Sequence, residues 1–267
     1  MTMKALRLKI YQPSAHYRIP FTYQRRHTYP IPPYSTVIGL LANFLGIRNL
    51  RGEGEPDSED FRKLKGISIS VGGTFIAKTK DYVWFRNLGK DSHESRFHTP
   101  TNRRYMGIPE HPGGQMPVSI DVLNDVHLWI YLYHKDEDFL ERIQDSFLNP
   151  RDRVWPPHLG RAEDLIVPID ISTAELTFKP KIYGNYRRFF WVPEGYTDSV
   201  IGLMHRIPTF YRLESGARTF EFAHVYLSDG IFTGEVCGYF DEKERTPVFF
   251  WRAKDGQDTC ERHGDNP

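Results

Sequence analysis

The chain has 267 residues, 39% of them hydrophobic and 26% charged, with a formal net charge of +1 at pH 7. That is material for one large domain or a domain with a smaller companion. The longest apolar run, around Val37 to Ile47, is too short for a membrane span, and Cys237 and Cys260 form neither a disulfide framework nor a metal-ligand pair, so a reduced cytoplasmic protein with no membrane partner and no cofactor is expected.

The near-neutral total hides an asymmetry. No Asp or Glu occurs before Glu53. Of the 35 Lys and Arg, eight lie in that segment, leaving 27 against all 34 Asp and Glu. A basic end on an acidic body points to a localised polyanion site, with a solvated face or an acidic protein partner as the plain alternatives.

Met3 to Tyr11 alternates, with Leu6, Leu8 and Ile10 on one face and Arg7, Lys9 and Tyr11 on the other, which reads as a half-buried strand with a basic, aromatic outer face. Residues 12–34 carry five prolines and read as a long loop. Its Tyr17, Arg18, Arg25, Arg26, His27 and Tyr29 are candidate phosphate and base contacts. A short buried helix follows, with Ser35 or Thr36 as N-cap, free N–H groups aimed at an anion, and Gly46 as the left-handed C-terminal residue. Ile67, Ile69 and Val71 mark a second strand, continuing toward Phe75-Ile76. Tyr82 to Met116 is basic and irregular, and reads as an extension between two strands. Val118 to Tyr133 alternates again, with Val126, Leu128, Ile130 and Leu132 against His127, Trp129, Tyr131 and Tyr133. That aromatic face suits either base stacking or cover by a C-terminal segment. Asp136 to Leu148 reads as an amphipathic helix, and Leu165 to Ile171 as a strand that Pro168 forces to an edge or a bulge.

This order is β–α–β–β–α–β: an α+β, ferredoxin-like (RRM-like) unit. The expected division is a domain over 1–178 with an insertion at about 82–117, a smaller β-rich region over 179–252, and a disordered polar tail over 253–267. No P-loop, dinucleotide fingerprint or His-x-x-x-His helix is present.

Two motifs carry a family resemblance. Tyr29-Pro-Ile-Pro-Pro-Tyr-Ser-Thr-Val-Ile-Gly-Leu-Leu41 resembles the N-terminal signature of a CRISPR-associated RAMP family, the crRNA 5′-handle-binding subunit of type I Cascade, here I-B-like. Pro157-His-Leu-Gly-Arg-Ala-Glu-Asp164 is similar to that family's second motif, a Leu-Gly-Arg-Ser-Glu loop, with Ala162 in place of Ser. The resemblance implies a thumb-like hairpin within 82–117, with Arg103, Arg104, Tyr105 and Met106 clamping RNA. Gly160 and Arg161 would meet phosphate, although a tight turn with Arg161 paired to Glu163 or Asp164 is the alternative. Implied partners are the crRNA 5′ handle, the repeated Cascade backbone subunit, the large PAM-recognising subunit and, through the complex, target DNA. The rival reading is a metal-independent endoribonuclease that processes precursor crRNA, as in a type I-C branch, using Tyr133-His134-Lys135 or His16-Tyr17-Arg18.

Overall fold

A computed structural model describes residues 2–20, 22, 25–50, 52–86, 104–105, 108–109 and 115–252. Among these the protein is mostly β, with three helices around a large sheet whose pairings are antiparallel except one. Strand β1 (Thr2–Ala15) lies between β9 (Gln115–Tyr133) and β10 (Val167–Lys179), and β5 (Ser68–Thr74) flanks β9 on its other side. Helix α1 (Tyr34–Phe44) connects β1 to β5, and helix α3 (Glu137–Leu148) connects β9 to β10. Each helix therefore crosses over a strand inserted between the two it joins.

The alternation of β1 and β9 decides which face is core. Leu6, Leu8 and Ile10 join Leu128, Ile130 and Leu132 in one buried cluster with Val37, Leu41 and Phe44 of α1 and Phe139, Ile143 and Phe147 of α3. Phe44 and Phe147 stack 3.9 Å apart where the helices meet. The short helix α2 (Glu59–Lys65), capped by Ser58 Oγ, buries Phe61 and Leu64 beside them. Its two apolar positions are too few to signal a helix from periodicity.

Helix α1 starts two or three residues earlier than its hydroxyls suggest. Pro33 is the N-cap, and neither Ser35 nor Thr36 makes a side-chain cap bond. Pro33 tolerates this position because its fixed extended-side geometry precedes the helix, which leaves Ser35 and Thr36 inside the first turn. The C-terminus follows expectation: Gly46 has φ +71°, Ile47 N–H donates to Ala42 O and Gly46 N–H to Asn43 O, a Schellman end.

The outer face of the sheet is covered. The expected basic, aromatic face of β1 is not a nucleic-acid surface. Arg7 is 1% exposed, and its guanidinium donates to Asp241, Asp170 and Ser172 at 2.9 Å. Tyr131 OH donates to Asp241 at 2.8 Å, and Trp129 Nε1–H to Glu244 at 2.9 Å, with Arg188 over the indole. The cover comes from β16 (Gly238–Asp241), the turn after it and β17 (Thr246–Val248). Arg7 finds one carboxylate there, Asp241, and a second, Asp170, on neighbouring β10, which is how a buried charge is tolerated. Burial pushes the Asp241 carboxyl up, but hydrogen bonds from Arg7 and Tyr131 outweigh it and hold the pKa below its ordinary value. A carboxyl depressed in the folded state stabilises fully above the ordinary aspartate value of about 3.9 and loses this as pH falls through the lower folded value. The urea midpoint is therefore expected to drop on acidification below about pH 4, with a smaller drop in Asp241→Asn; equal drops in both proteins would refute the linkage.

Most of the remaining strands extend this sheet on the β5 side. β12 (Phe189–Pro193) pairs with β5, and the hairpin β13 (Leu203–Glu214) and β14 (Ala217–Ser228) continues outward, with β13 beside α1. β18 (Trp251–Arg252) returns to β5, and Trp251 stacks on Tyr34. The short pair β11 (Tyr183–Asn185) and β15 (Ile231–Thr233) lies outside the sheet. The β1–β10 ladder shifts register between Lys9 and Ile10, opposite Pro168, so the proline sits at a bulge as anticipated.

After a break at Phe75–Ile76, β6 (Ala77–Arg86) runs back along β9 from Ala77 opposite Asn124 to Arg86 opposite Gln115. These are the arms of a long hairpin. Within it β7 (Arg104–Tyr105) pairs with β8 (Ile108–Pro109). Arg103, Met106 and the tail 253–267 lie outside the described residues.

Candidate nucleic-acid interface

The proline-rich segment expected as loop is partly strand. β1 runs to Ala15; β2 (Tyr17–Arg18) then pairs with β4 (Thr28–Tyr29), and β3 (Arg25–Arg26) lies parallel to Ser119–Ile120 of β9. Thr28 Oγ1 accepts from Tyr17 N–H at 2.8 Å, and His27 O accepts from Ile19 N–H. These bonds bring Arg18 and Arg26 together. Burial, and then the charge of Arg18, lower the Arg26 guanidinium below its usual range. An anion placed beside them relieves that repulsion.

The second motif packs against the same strand. Asp164 is fully buried, and its carboxylate accepts from His16 N–H at 3.0 Å, Arg161 N–H at 2.8 Å and Arg161 Nη2 at 2.7 Å. Gln12 Nε2 donates to Leu159 O and Asp164 O, and Tyr17 OH donates to Gln12 Oε1. Gly160 has φ +106°, and a Cβ there would sit 2.7 Å from His16 O and 2.8 Å from Asp164 Oδ2. Its missing side chain is needed by the close approach of its own chain. Gly160→Ala is expected to cost about 2 kcal/mol or more, read as a urea-midpoint shift. Arg161 follows the tight-turn alternative, paired with Asp164 and, at 3.3 Å, with Glu163. Hydrogen bonding to Asp164 raises its pKa, so it stays cationic.

Seven of the expected contacts line one groove of about 1530 Å³: Tyr17, Arg18, Arg26, Ser35, Thr36, Gly160 and Arg161. The outward side of α1 also lines it, between loop 154–161 and the β13–β14 hairpin. Among the described residues its charges are Arg18, Arg26, Arg48, Arg161 and Arg218 against one carboxylate, Glu163. Arg25, His27 and Tyr29 are not part of it. His27 meets Asp121 at 3.0 Å. Tyr29 is 3% exposed, edge-on to Trp191 and His205, and Tyr17 is 1% exposed. Neither tyrosine presents a face to a base, because both rings fill the core beneath the Pro-rich segment.

The family model described as CRISPR-associated protein (Cas_Cas5) matches residues 5–221. The chain belongs to the Cas5 family of CRISPR-associated RAMP proteins. A solved chain described as a CRISPR RNA-guided surveillance complex is 14% identical and superposes with TM-score 0.54 over 94% of this chain and 95% of that one. That likeness carries the fold. A CRISPR protein from Archaeoglobus fulgidus, also 14% identical, superposes at TM-score 0.46 over 94% and 99%. Comparison with curated proteins found no match.

Within this Cas5 framework each suspected catalytic cluster lines a cavity: His16, Tyr17 and Arg18 the groove, and Tyr133, His134 and Lys135 a second one of about 560 Å³. His16 is 4% exposed, donates Nδ1–H to Asp121 O, and is held neutral by burial. His134 Nδ1 accepts from Asp136 N–H at 3.0 Å, and Tyr133 faces Phe250. Among the described residues no group of His, Cys, Asp and Glu is placed to hold a metal ion, and no helix is long and apolar enough to cross a membrane. Sequence reading missed Arg48, Trp155, Arg218 and Phe222. Arg48 follows the first helix in a stretch without periodicity, and Arg218 and Phe222 lie in the region read only as β-rich; their only signal was Arg and aromatic character.

Proposed function

We propose that this protein is the type I Cascade subunit that grips the 5′ handle of crRNA without cutting it. The observation that carries the reading is the groove beside the start of α1, whose described lining holds five arginines, Arg161 among them paired with Asp164 and Glu163, and one carboxylate, Glu163. Phosphates would run past Arg18, Arg26 and the first turn of α1 at Ser35–Thr36, where N–H groups and helix dipole favour negative charge. Arg161, paired to Asp164 and Glu163, would meet phosphate only through its remaining N–H groups. The ferredoxin-like core over 1–178 holds these elements, and the hairpin over about 82–117 acts as a thumb, with Arg103, Arg104, Tyr105 and Met106 closing on the strand. The region over 179–252 supplies the groove's other wall. Family membership and the fold shared with a surveillance-complex chain support assembly with the repeated backbone subunit and the large PAM-recognising subunit, and through them with target DNA in antiviral defence.

The test is a gel with labelled repeat RNA in EDTA. A shift with intact RNA is expected. Arg18→Gln with Arg26→Gln should weaken binding and reduce the log–log salt slope by about 1.4, from two lost phosphate contacts on a single strand. An unchanged slope rejects this site. Defined RNA fragments would replace the reading with the metal-independent endoribonuclease.

A further inference from the structure

Resting on that groove reading, we propose that Trp155 is a stacking platform for an unpaired nucleobase. The indole lines the groove and is 67% exposed. An exposed indole leaves apolar area in water, which is unfavourable unless something covers it. Its backbone is nevertheless fixed. Asn43 of α1 accepts from Trp155 N–H at 2.8 Å through Oδ1 and donates to Trp155 O at 3.0 Å through Nδ2. Val154 N–H donates to Asn43 O at 3.2 Å.

The segment on either side is pinned too. Asp152 lies so close to α1's C-terminal turn that a Cβ on Gly46 would approach its carbonyl oxygen to 2.9 Å. Pro156 and Pro157 follow, and Ile166 N–H donates to Pro157 O at 3.0 Å. One asparagine thus uses both ends of its amide to hold an outward tryptophan at a groove bordered by arginines. With the backbone already fixed, only the two side-chain torsions of the indole remain to be ordered when a flat partner arrives. The groove's positive rim selects a polyanion, and the flat groups that a polyanion carries in an RNA single strand are its bases. Asn43 is a positioning residue; Trp155 makes the contact.

The experiment titrates the full-length protein with single-stranded repeat RNA and with the same RNA made abasic, following binding by anisotropy and by tryptophan emission. Of the tryptophans with described side chains, Trp191 is buried and Trp129 and Trp251 are half-buried, so quenching at Trp155 stands apart. Intact RNA is expected to quench emission and abasic RNA is not. Trp155→Leu should abolish that quench and weaken intact RNA roughly 5- to 150-fold, with the salt slope unchanged. Asn43→Ala should weaken binding less, and add nothing on top of Trp155→Leu. Melting curves check that the variants fold. If wild type binds RNA while Trp155→Leu binds equally well, or if abasic RNA binds as tightly, the platform is overturned and the groove reading stands. If wild type binds neither RNA at low salt, both are overturned, and the exposed indole belongs to a protein contact.

Discussion

Gly39→Glu is expected to raise the melting temperature while lowering affinity for single-stranded RNA by about 100-fold or more. The opposite signs come from one position. Gly39 lies inside α1, exposed on the groove side, and a Cβ there meets nothing within 4 Å. A helix-interior glycine costs roughly 0.8–1.0 kcal/mol relative to alanine, and glutamate recovers most of that. For a chain of this size the gain corresponds to about 1–3 °C. The same side chain rises from the floor of a groove with five arginines, where it both fills space and offers a carboxylate that competes with phosphate. Gly39→Gln separates the effects: similar bulk, no charge, and about tenfold weaker binding. Melting curves and anisotropy titrations read the two signs independently. A Gly39→Glu protein that melts higher and binds RNA as wild type does would place the nucleic acid elsewhere; one that melts lower would mean α1 is not open at Gly39.

The order of strands and helices was legible because β1, β9 and α3 carry strong periodicities and β1 and β9 have one clearly apolar face each. The C-terminal strands were legible as strands but not as extensions of the same sheet, since alternation shows a face and not a neighbour. That is why Arg7 looked available. Its two carboxylate partners, Asp170 and Asp241, lie 163 and 234 residues away, and nothing local announces them. Tyr17 and Tyr29 misled for the opposite reason: in a proline-rich, polar stretch they looked like surface rings, whereas β2 and β4 fold them inward. Arg18 and Arg26 both line the groove, Arg18 from the β2–β4 pair and Arg26 from β3 alongside β9. The pairing of Arg161 with Asp164 was written in their three-residue spacing. The exposed wall formed by Trp155, Arg218 and Phe222 had no such local signal, because it arises where a loop, a helix and a hairpin distant in sequence converge.

Asp164→Ala is expected to destabilise the protein by about 3–5 kcal/mol, the scale for removing one partner of a buried charged pair. The carboxylate is the fully buried acceptor for the backbone N–H groups of His16 and Arg161 and for the Arg161 guanidinium. Alanine leaves all three donors without it, and each unsatisfied buried group carries its own desolvation cost. The structural consequence is specific. The end of β1, which leads into Arg18, and the loop carrying Gly160 and Arg161 are joined through this side chain and through Gln12, so losing the carboxylate loosens two walls of the groove. Asp164→Asn keeps an acceptor but cannot serve Arg161 as an anion, and should lose less, about 1–3 kcal/mol. Replacing both members of the pair, Asp164→Leu with Arg161→Met, removes the stranded charge as well and should recover part of the loss seen in Asp164→Leu alone. Urea titrations of the four variants form the test. A double variant no more stable than Asp164→Leu would mean that the backbone N–H groups of His16 and Arg161, rather than the guanidinium, account for the effect. A fully stable Asp164→Ala would mean that this loop is not held to β1 through the carboxylate, and the rigidity argued for the groove would fall with it.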